Sequence, residues 1–203
     1  MCPRHIKTLI PLNHKRILAM TLLDHAAPYI LTRPAILTPG ECAAMRAKID
    51  ASELTVATIN TPRGPRLATG VRNNERFMED DYALAATLFE RLADQAPRQA
   101  MGMSLHGVNE RMRYFRYKPE TWFKPHADGS FARDEAERSL YTLIIYLNDG
   151  FEGGRTIFEV EPQVAITPRE GMALLFQHPI VHEGEEVTAG VKYVLRTELM
   201  YRR

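Results

Sequence analysis

His126 and Asp128 stand two residues apart in the segment KPHADGSF, and His182 follows far downstream in PIVHEGEEV. On an extended strand, residues at i and i+2 project from one face, so the first two side chains can reach a single ion. Two neutral imidazoles and one carboxylate make a facial set of three ligands that leaves coordination positions open, an arrangement suited to non-haem iron(II). The spacing alone is weak evidence. Seven histidines in 203 residues make a chance His-x-Asp ordinary, and zinc or nickel would accept similar ligands. His5, His14, His25, His106 and His178 have no such company and read as surface or core histidines.

The elements that must hold these residues change in character along the chain. From about residue 100, short apolar runs such as MRYFRY, SLYTLIIYLN, MALLF and VKYVLRTELMY are separated by Gly, Pro, Asn and Asp. Many strands at close spacing with turn residues between them predict a sandwich or barrel. SLYTLIIYLN is almost wholly apolar, as a strand buried on both faces should be. Earlier in the chain, Thr38 reads as an N-cap, Pro39 as the first helical residue and Glu41 as the close of a capping box, with a helix running to about Ser52. Residues 54–60 read as a strand that TPRGP ends. Asp80 or Asp81 can cap a second helix with Tyr82, Ala85, Phe89 and Leu92 on one face. The fold class expected is mainly β with flanking α.

A length of 203 residues suits one domain, 20–203, behind an N-terminal appendage 1–19 of unknown role. In that appendage Arg4 and Lys7 precede an apolar stretch, but His14, Lys15 and Arg16 interrupt it before it reaches the length of a signal peptide core. Met20 stands as an alternative start. A formal net charge of +1 gives no reason to expect nucleic acid or an anionic membrane as partner. No run approaches the roughly 18–20 apolar residues of a membrane span. Cys2 and Cys42 do not make a disulfide framework, so a reducing, cytoplasmic setting is expected.

From His182 the chain reads HEGEEVTAGVKYVLRTELMY, with Lys192 ten residues on. This resembles the prolyl 4-hydroxylase-like branch of the iron(II)/2-oxoglutarate-dependent dioxygenase superfamily, whose pattern H-x-G-x-x-V-x-x-G-x-K is met at His182, Gly184, Val187, Gly190 and Lys192. RYKPETWFKPHAD resembles that family's strand leading into its His-x-Asp, with Tyr117, Phe123 and Pro125 in register. TLIIYLNDGFEGGRTIF resembles its T-x-x-x-Y-L-N block and the G-G-x-T-x-F that follows, and ITPREGMALLF its P-x-x-G-x-A-L-x-F strand. Four ordered blocks cover about residues 110–201, with weaker similarity near Glu41. The resemblance implies a double-stranded β-helix (jelly roll, cupin-like) with two helices packed on one sheet and a catalytic core at about 110–201. It also implies Fe(II) on His126, Asp128 and His182, with 2-oxoglutarate and O2 as cosubstrates and ascorbate as reductant.

The distal carboxylate of 2-oxoglutarate needs a cation in a dry pocket, and family position assigns that to Lys192 through a charge-assisted hydrogen bond. Tyr117 and Thr142 could add hydroxyl donors. Arg196 competes, because Lys192, Val194, Arg196 and Glu198 share one strand face. It could grip the carboxylate bidentately, or pair with Asp128 or Glu198 and orient a ligand. The chain departs from the family at Arg155, where Glu is frequent, and at Glu198, where prolyl 4-hydroxylases tend to carry Trp near the substrate. A pocket-facing Glu198 would argue against a plain proline-rich peptide.

GVRNNERF (70–77) reads as a loop whose Arg72, Asn73, Asn74 and Arg76 could donate to a carboxylate or a peptide backbone, or form a solvated turn. Trp122 could line an entrance or sit in the core, and SFARDEAERS could be a lid or a solvated connection. The expected reaction is hydroxylation of an unactivated C–H in a prolyl or other residue of a protein or peptide, releasing succinate and CO2. Hydroxylation of a free amino acid or small-molecule metabolite is the alternative. A non-catalytic cupin-like metal-binding or sensor protein has no need of Lys192, and a nucleic-acid demethylase would want a basic stripe with interleaved aromatics that the sequence lacks.

Overall fold

The computed structural model describes residues 28–203, so the expected appendage 1–19 lies outside the described residues. Two antiparallel sheets face each other. In the larger, the strand order is Ile30–Arg33, Ala173–Gln177, Glu137–Tyr146, Lys192–Arg202, Arg111–Tyr117, Glu75–Asp80 and Thr55–Val56, with Met103–Val108 also paired to Lys192–Arg202. The smaller places His182–Ala189 between Glu152–Gly153 and Thr156–Phe158, and Thr121–His126 also pairs with it.

Alternation along the large sheet's strands fills two cores at once. Tyr114, Leu143, Ile145 and Leu195 point to one side, where Cys42 and Ile49 of helix α1 (Pro39–Ala51) and Leu88 and Leu92 of helix α2 (Tyr82–Leu92) meet them. Phe115, Tyr146, Leu174, Phe176 and Val194 point to the other and meet Phe158 and Val187 of the small sheet. Burial on both sides is why SLYTLIIYLN is largely apolar, with its buried Ser139 and Thr142 hydrogen-bonded. The architecture is the double-stranded β-helix, with both helices on the outer face of the large sheet.

Local chemistry sets the helix starts. Thr38 accepts from the Glu41 N–H and the Glu41 carboxylate takes the Thr38 N–H, a complete capping box. Asp81 caps α2 through the Leu84 N–H at 2.9 Å. The buried face of α2 is Ala85, Leu88 and Leu92. Tyr82, placed on that face by periodicity, opens the helix and stays 69% exposed. Residues 54–60 form two short strands instead of one, and the second, Ile59–Thr61, turns back on Gly64–Arg66 as a hairpin. The expected loop at 70–77 is half strand, since Glu75–Asp80 pairs in full with Arg111–Tyr117.

Gly171 ties the helical layer to the large sheet. Its carbonyl accepts from Ile36 and Leu37 at 2.8 and 3.2 Å, and its N–H donates to Tyr146 at 2.9 Å. At φ +74° an added Cβ would lie 2.2 Å from the Leu37 carbonyl oxygen, so backbone must move to admit it. Gly171→Ala is expected to cost at least about 2 kcal/mol, read as a lower denaturant midpoint.

Candidate metal centre

His126 ends one strand, His182 begins its neighbour, and the two are direct cross-strand partners. Asp128 lies just beyond the strand, held by its backbone N–H on the His178 carbonyl at 2.9 Å. One ligand atom from each of the three lies within 4.8 Å of the others. The Asp128 oxygens stand 3.8 Å from each imidazole Nε2. Each Nδ1 meets a backbone carbonyl, Lys124 at 2.8 Å for His126 and Ile180 at 2.9 Å for His182. A carbonyl can only accept, so Nδ1 carries the proton and the Nε2 lone pair faces the other two ligands. Burial, helped by His182, pushes His126 down to about 3, and burial lowers His182 as well, so both imidazoles are neutral donors at neutral pH. Burial would raise the Asp128 pKa, but the charge of Arg196, the imidazoles once protonated in acid, and the Thr142 hydrogen bond outweigh it and keep the carboxylate ionised. This donor set fits a divalent transition ion with open positions.

Both Asp128 oxygens are also held from behind. Arg196 Nη2 reaches Oδ1 at 2.9 Å. Thr142 donates its hydroxyl to Oδ2 at 2.6 Å. Because that proton is spent, Thr142 Oγ1 must accept from His178 Nδ1, 2.9 Å away. His178 Nε2 is then left to accept from Ser139 Oγ at 2.8 Å, and Ser139 Oγ accepts from the Phe131 N–H. Burial holds His178 down to about 4, which keeps it neutral and gives this chain one polarity.

One expectation changes here and an open one narrows. Thr142, expected to donate to the cosubstrate, is fully buried and gives its hydroxyl to a metal ligand. Arg196, weighed as a carboxylate anchor or as a partner of Asp128 or Glu198, takes the second course and pairs with Asp128 and, at 3.4 Å, with Glu198. His178, set aside as an ordinary core histidine, is buried as expected but supports Asp128 through both its ring and its carbonyl.

Lys192 lies in the same cleft, 3% exposed, pairing across the sheet with Tyr117. Its ammonium donates to the Gly154 carbonyl at 2.6 Å and sits 5.0 Å from the Tyr117 ring centroid and 5.6 Å from that of Tyr146. Gly154, at φ +64°, leaves room for that side chain, since a Cβ there would stand 3.2 Å from Lys192 Cδ. Among the described residues no carboxylate lies within 4.0 Å of the ammonium. Burial drives its pKa down to about 7, partly offset by more distant Glu185. Tyr117 is 7% exposed, with its hydroxyl pushed up by burial against the opposing charge of Arg72. The cleft, about 690 Å³, also takes in Ile59 and Asn60 of the hairpin and Phe123, but not Trp122, which alternation turns away.

Glu198 does face the cleft, at 2% exposure, yet both its oxygens are committed. Oε1 binds Arg113 at 2.7 Å and Oε2 accepts from Asn109 at 2.9 Å. Residues 70–77 send in Arg72, 7% exposed, with its guanidinium 4.2 Å from the Phe123 centroid. Arg155 pairs with Glu185 outside the cleft. The SFARDEAERS segment is tied down by Arg133 on Glu110 and Glu137 and by an Asp134 turn.

Removing the Thr142 hydroxyl should loosen the ligand and leave the Lys192 end intact. Thr142→Val is expected to weaken Mn(II) binding about 10–100-fold, read by calorimetry, with a much smaller change at the Lys192 end of the cleft.

Comparison with known proteins agrees with this geometry. Residues 112–197 match the 2OG-Fe(II) oxygenase superfamily, a stretch that holds the triad, Lys192 and Arg196. Over 198 residues the chain is 25% identical to Prolyl 4-hydroxylase 1 of Arabidopsis thaliana, covering 82% of this chain and 67% of that protein. The crystal structure of a Pseudomonas putida prolyl-4-hydroxylase shares the fold with a TM-score of 0.62 at 21% identity, over 89% of this chain and 96% of that one. A Trichoplax adhaerens prolyl hydroxylase, solved in complex with a hypoxia inducible factor oxygen degradation domain peptide fragment, shares it with a TM-score of 0.65 at 14% identity, over 86% and 84%. The sequence match over residues 112–197, the fold and the donor set together support reading this chain as a 2OG-Fe(II) oxygenase, a 2-oxoglutarate-dependent dioxygenase similar to the prolyl 4-hydroxylases.

Proposed function

We propose that the protein hydroxylates an unactivated C–H bond of a prolyl or other residue in a protein or peptide, releasing succinate and CO2. Lys192 is the observation that carries this reading. A buried ammonium without a carboxylate is unfavourable in the free protein, and it has a use only if an anion enters the cleft. A non-catalytic metal-binding module would have no need of it.

His126, Asp128 and His182 would hold iron(II), with ascorbate as its reductant. When bound, iron supplies the redox chemistry and the positions for the keto acid and oxygen. The chain's own share is orientation and exclusion of water. Lys192 receives the distal carboxylate of 2-oxoglutarate, with the Tyr117 hydroxyl beside it, while Tyr146, Val194 and Phe115 keep that end dry. Arg196 and Thr142 fix the Asp128 carboxylate from behind. The prolyl hydroxylase relatives support a peptide or protein as prime substrate. A free amino acid or small metabolite is the second reading, favoured by the cationic side chains on the cleft wall. Residues 20–203 would form the catalytic domain, and the free, buried Cys42 suits a cytoplasmic setting.

Protein supplied with iron(II), ascorbate and 2-oxoglutarate is expected to release succinate slowly with no prime substrate present. Absence of succinate together with no calorimetric binding of 2-oxoglutarate would remove the oxygenase reading. Lys192→Ala should raise the 2-oxoglutarate requirement about tenfold or more, whereas Arg196→Ala should chiefly weaken metal binding. Affinity for 2-oxoglutarate should also depend on pH. Lys192 titrates at about 7 in the free protein, and a neighbouring dianion raises that value, so binding takes up a proton. Affinity is therefore full below pH 7 and falls above it, approaching about tenfold per pH unit until the raised value is passed. Lys192→Ala should flatten that dependence.

A further inference from the structure

Antiparallel register lays the cleft side of the large sheet out in rows. Lys192 and Tyr117 form one; Val194, Phe115 and Arg76 the next; Arg196, Arg113 and Met78 a third. Successive rows stand about 7 Å apart. The Lys192 row has one cation. The two rows beyond it carry three guanidinium groups, and Arg72 adds a fourth from the segment before Glu75.

The counter-charges do not match that number. Arg196 has Asp128 and Glu198, and Arg113 has Glu198. Among the described residues, neither Arg72 nor Arg76 has a carboxylate within 4.0 Å. Arg76 reaches only the Thr58 hydroxyl, at 3.3 Å. Arg72 gives Nε to Asn74 Oδ1 at 2.7 Å and lies between the rings of Phe115 and Phe123, 4.5 and 4.2 Å from their centroids. Burial, with repulsion from Arg196 and Arg76, lowers the Arg72 pKa to about 10, still charged at neutral pH. The two rings hold the guanidinium in place; its Nε is taken by Asn74, and the Tyr117 hydroxyl lies beside its remaining donors, which face the cleft. A purely structural arginine would account for Arg72 alone, as a clamp between the sheets. It does not account for Arg76, which lines the same cleft from the large sheet and likewise has no carboxylate within 4.0 Å among the described residues.

We propose that the prime substrate carries a carboxylate close to the carbon that is oxidised, and that Arg72 and Arg76 receive it. This rests on the oxygenase reading above and narrows its substrate class. Both carboxylates of 2-oxoglutarate are otherwise assigned, one to the metal and one to Lys192, so this pair of guanidiniums faces the prime substrate. The carboxylate can belong to an Asp or Glu side chain in a peptide or to a free amino acid.

The test uses the full chain with iron(II), ascorbate and saturating 2-oxoglutarate. Pools of end-blocked peptides with a central proline are compared in matched pairs, Asp against Asn and Glu against Gln at each flanking position, alongside free amino acids and their amides. Succinate formed without any probe reports whether the oxygenase reading holds, independently of this proposal. A carboxylate-bearing probe is expected to stimulate succinate formation about tenfold or more over its amide partner. Peptide and amino-acid arms distinguish the two sources. Arg76, only half-buried, is the variant of choice: Arg76→Gln should bring the carboxylate-to-amide ratio near one, and Arg76→Lys should restore most of it. The proposal is overturned by stimulation equal for acid and amide, by an acid preference unchanged in Arg76→Gln, or by stimulation from no probe while basal succinate forms. An Arg76→Gln effect confined to the 2-oxoglutarate requirement overturns it as well.

Discussion

The register between Thr121–His126 and His182–Ala189 is the constraint on which the site depends. His126 and His182 are paired directly, and a slip of one residue would turn one imidazole to the opposite face of the small sheet. Ring packing holds the pair in place. Phe123 stacks on His126 at 3.4 Å between centroids, and His182 lies against Phe158 and Phe176. Arg72 bridges to Phe123 and covers its ring, so the segment that brings a cation to the cleft also braces the strand carrying the first ligand. Asp128 follows from the same strand and is fastened to the His178 carbonyl, four residues ahead of His182. All three donors thus hang from two neighbouring stretches of chain, and a metal would find them already aimed.

Glu198 shows how charge in the cleft is balanced. Arg113 and Arg196 are direct partners across adjacent strands, and without an acid between them they would repel at short range. Glu198 meets both, and Asn109 takes its other oxygen. Arg196 can then rest on Asp128 without being drawn elsewhere. A Trp at this position would remove that acid and leave Asp128 as the only carboxylate for two guanidiniums, to the detriment of a metal ligand. The Glu where prolyl 4-hydroxylases tend to carry an aromatic is therefore bound to Arg113 on the neighbouring strand, and its own carboxylate is not free for a substrate.

What the sequence made legible was whatever depends on short spacing. His126 and Asp128 two apart and the Thr38–Glu41 capping box are local patterns that backbone geometry turns directly into structure, while Lys192 ten beyond His182 is legible through the family resemblance. The contributions of Thr142 and His178 were not legible, because each acts through partners on other strands whose approach is set by pairing. Residues 75–77 read as loop, for a different reason, and belong to a strand. ERFMED alternates, with Phe77 stacked on Tyr114 toward the helices and Arg76 and Met78 toward the cleft, but its polar face looks like a solvated loop when inward is assumed to mean apolar. A period of two was present and composition concealed it. Tyr82 erred the opposite way, an aromatic at correct helical spacing that opens its helix and remains in solvent.

The strand Lys192–Arg202 joins these themes, because its two faces do different work from one backbone. Leu195 and Leu199 pack toward the helices, while Lys192, Val194, Arg196 and Glu198 line the cleft. Four residues of strand separate the Lys192 ammonium's anchor point from that of Arg196, roughly 13 Å at an extended rise. That interval is fixed by a backbone paired on both sides and buried against α1 and α2. The cation at one end and the metal-supporting arginine at the other therefore cannot slide relative to each other without unpacking the helical core. Selectivity among substrates then falls to the side chains that project between and beyond these points. Arg76 and Arg113 sit on the next strands out, where exchange of a side chain alters the cleft while Tyr114 and Phe77 keep the core behind it packed.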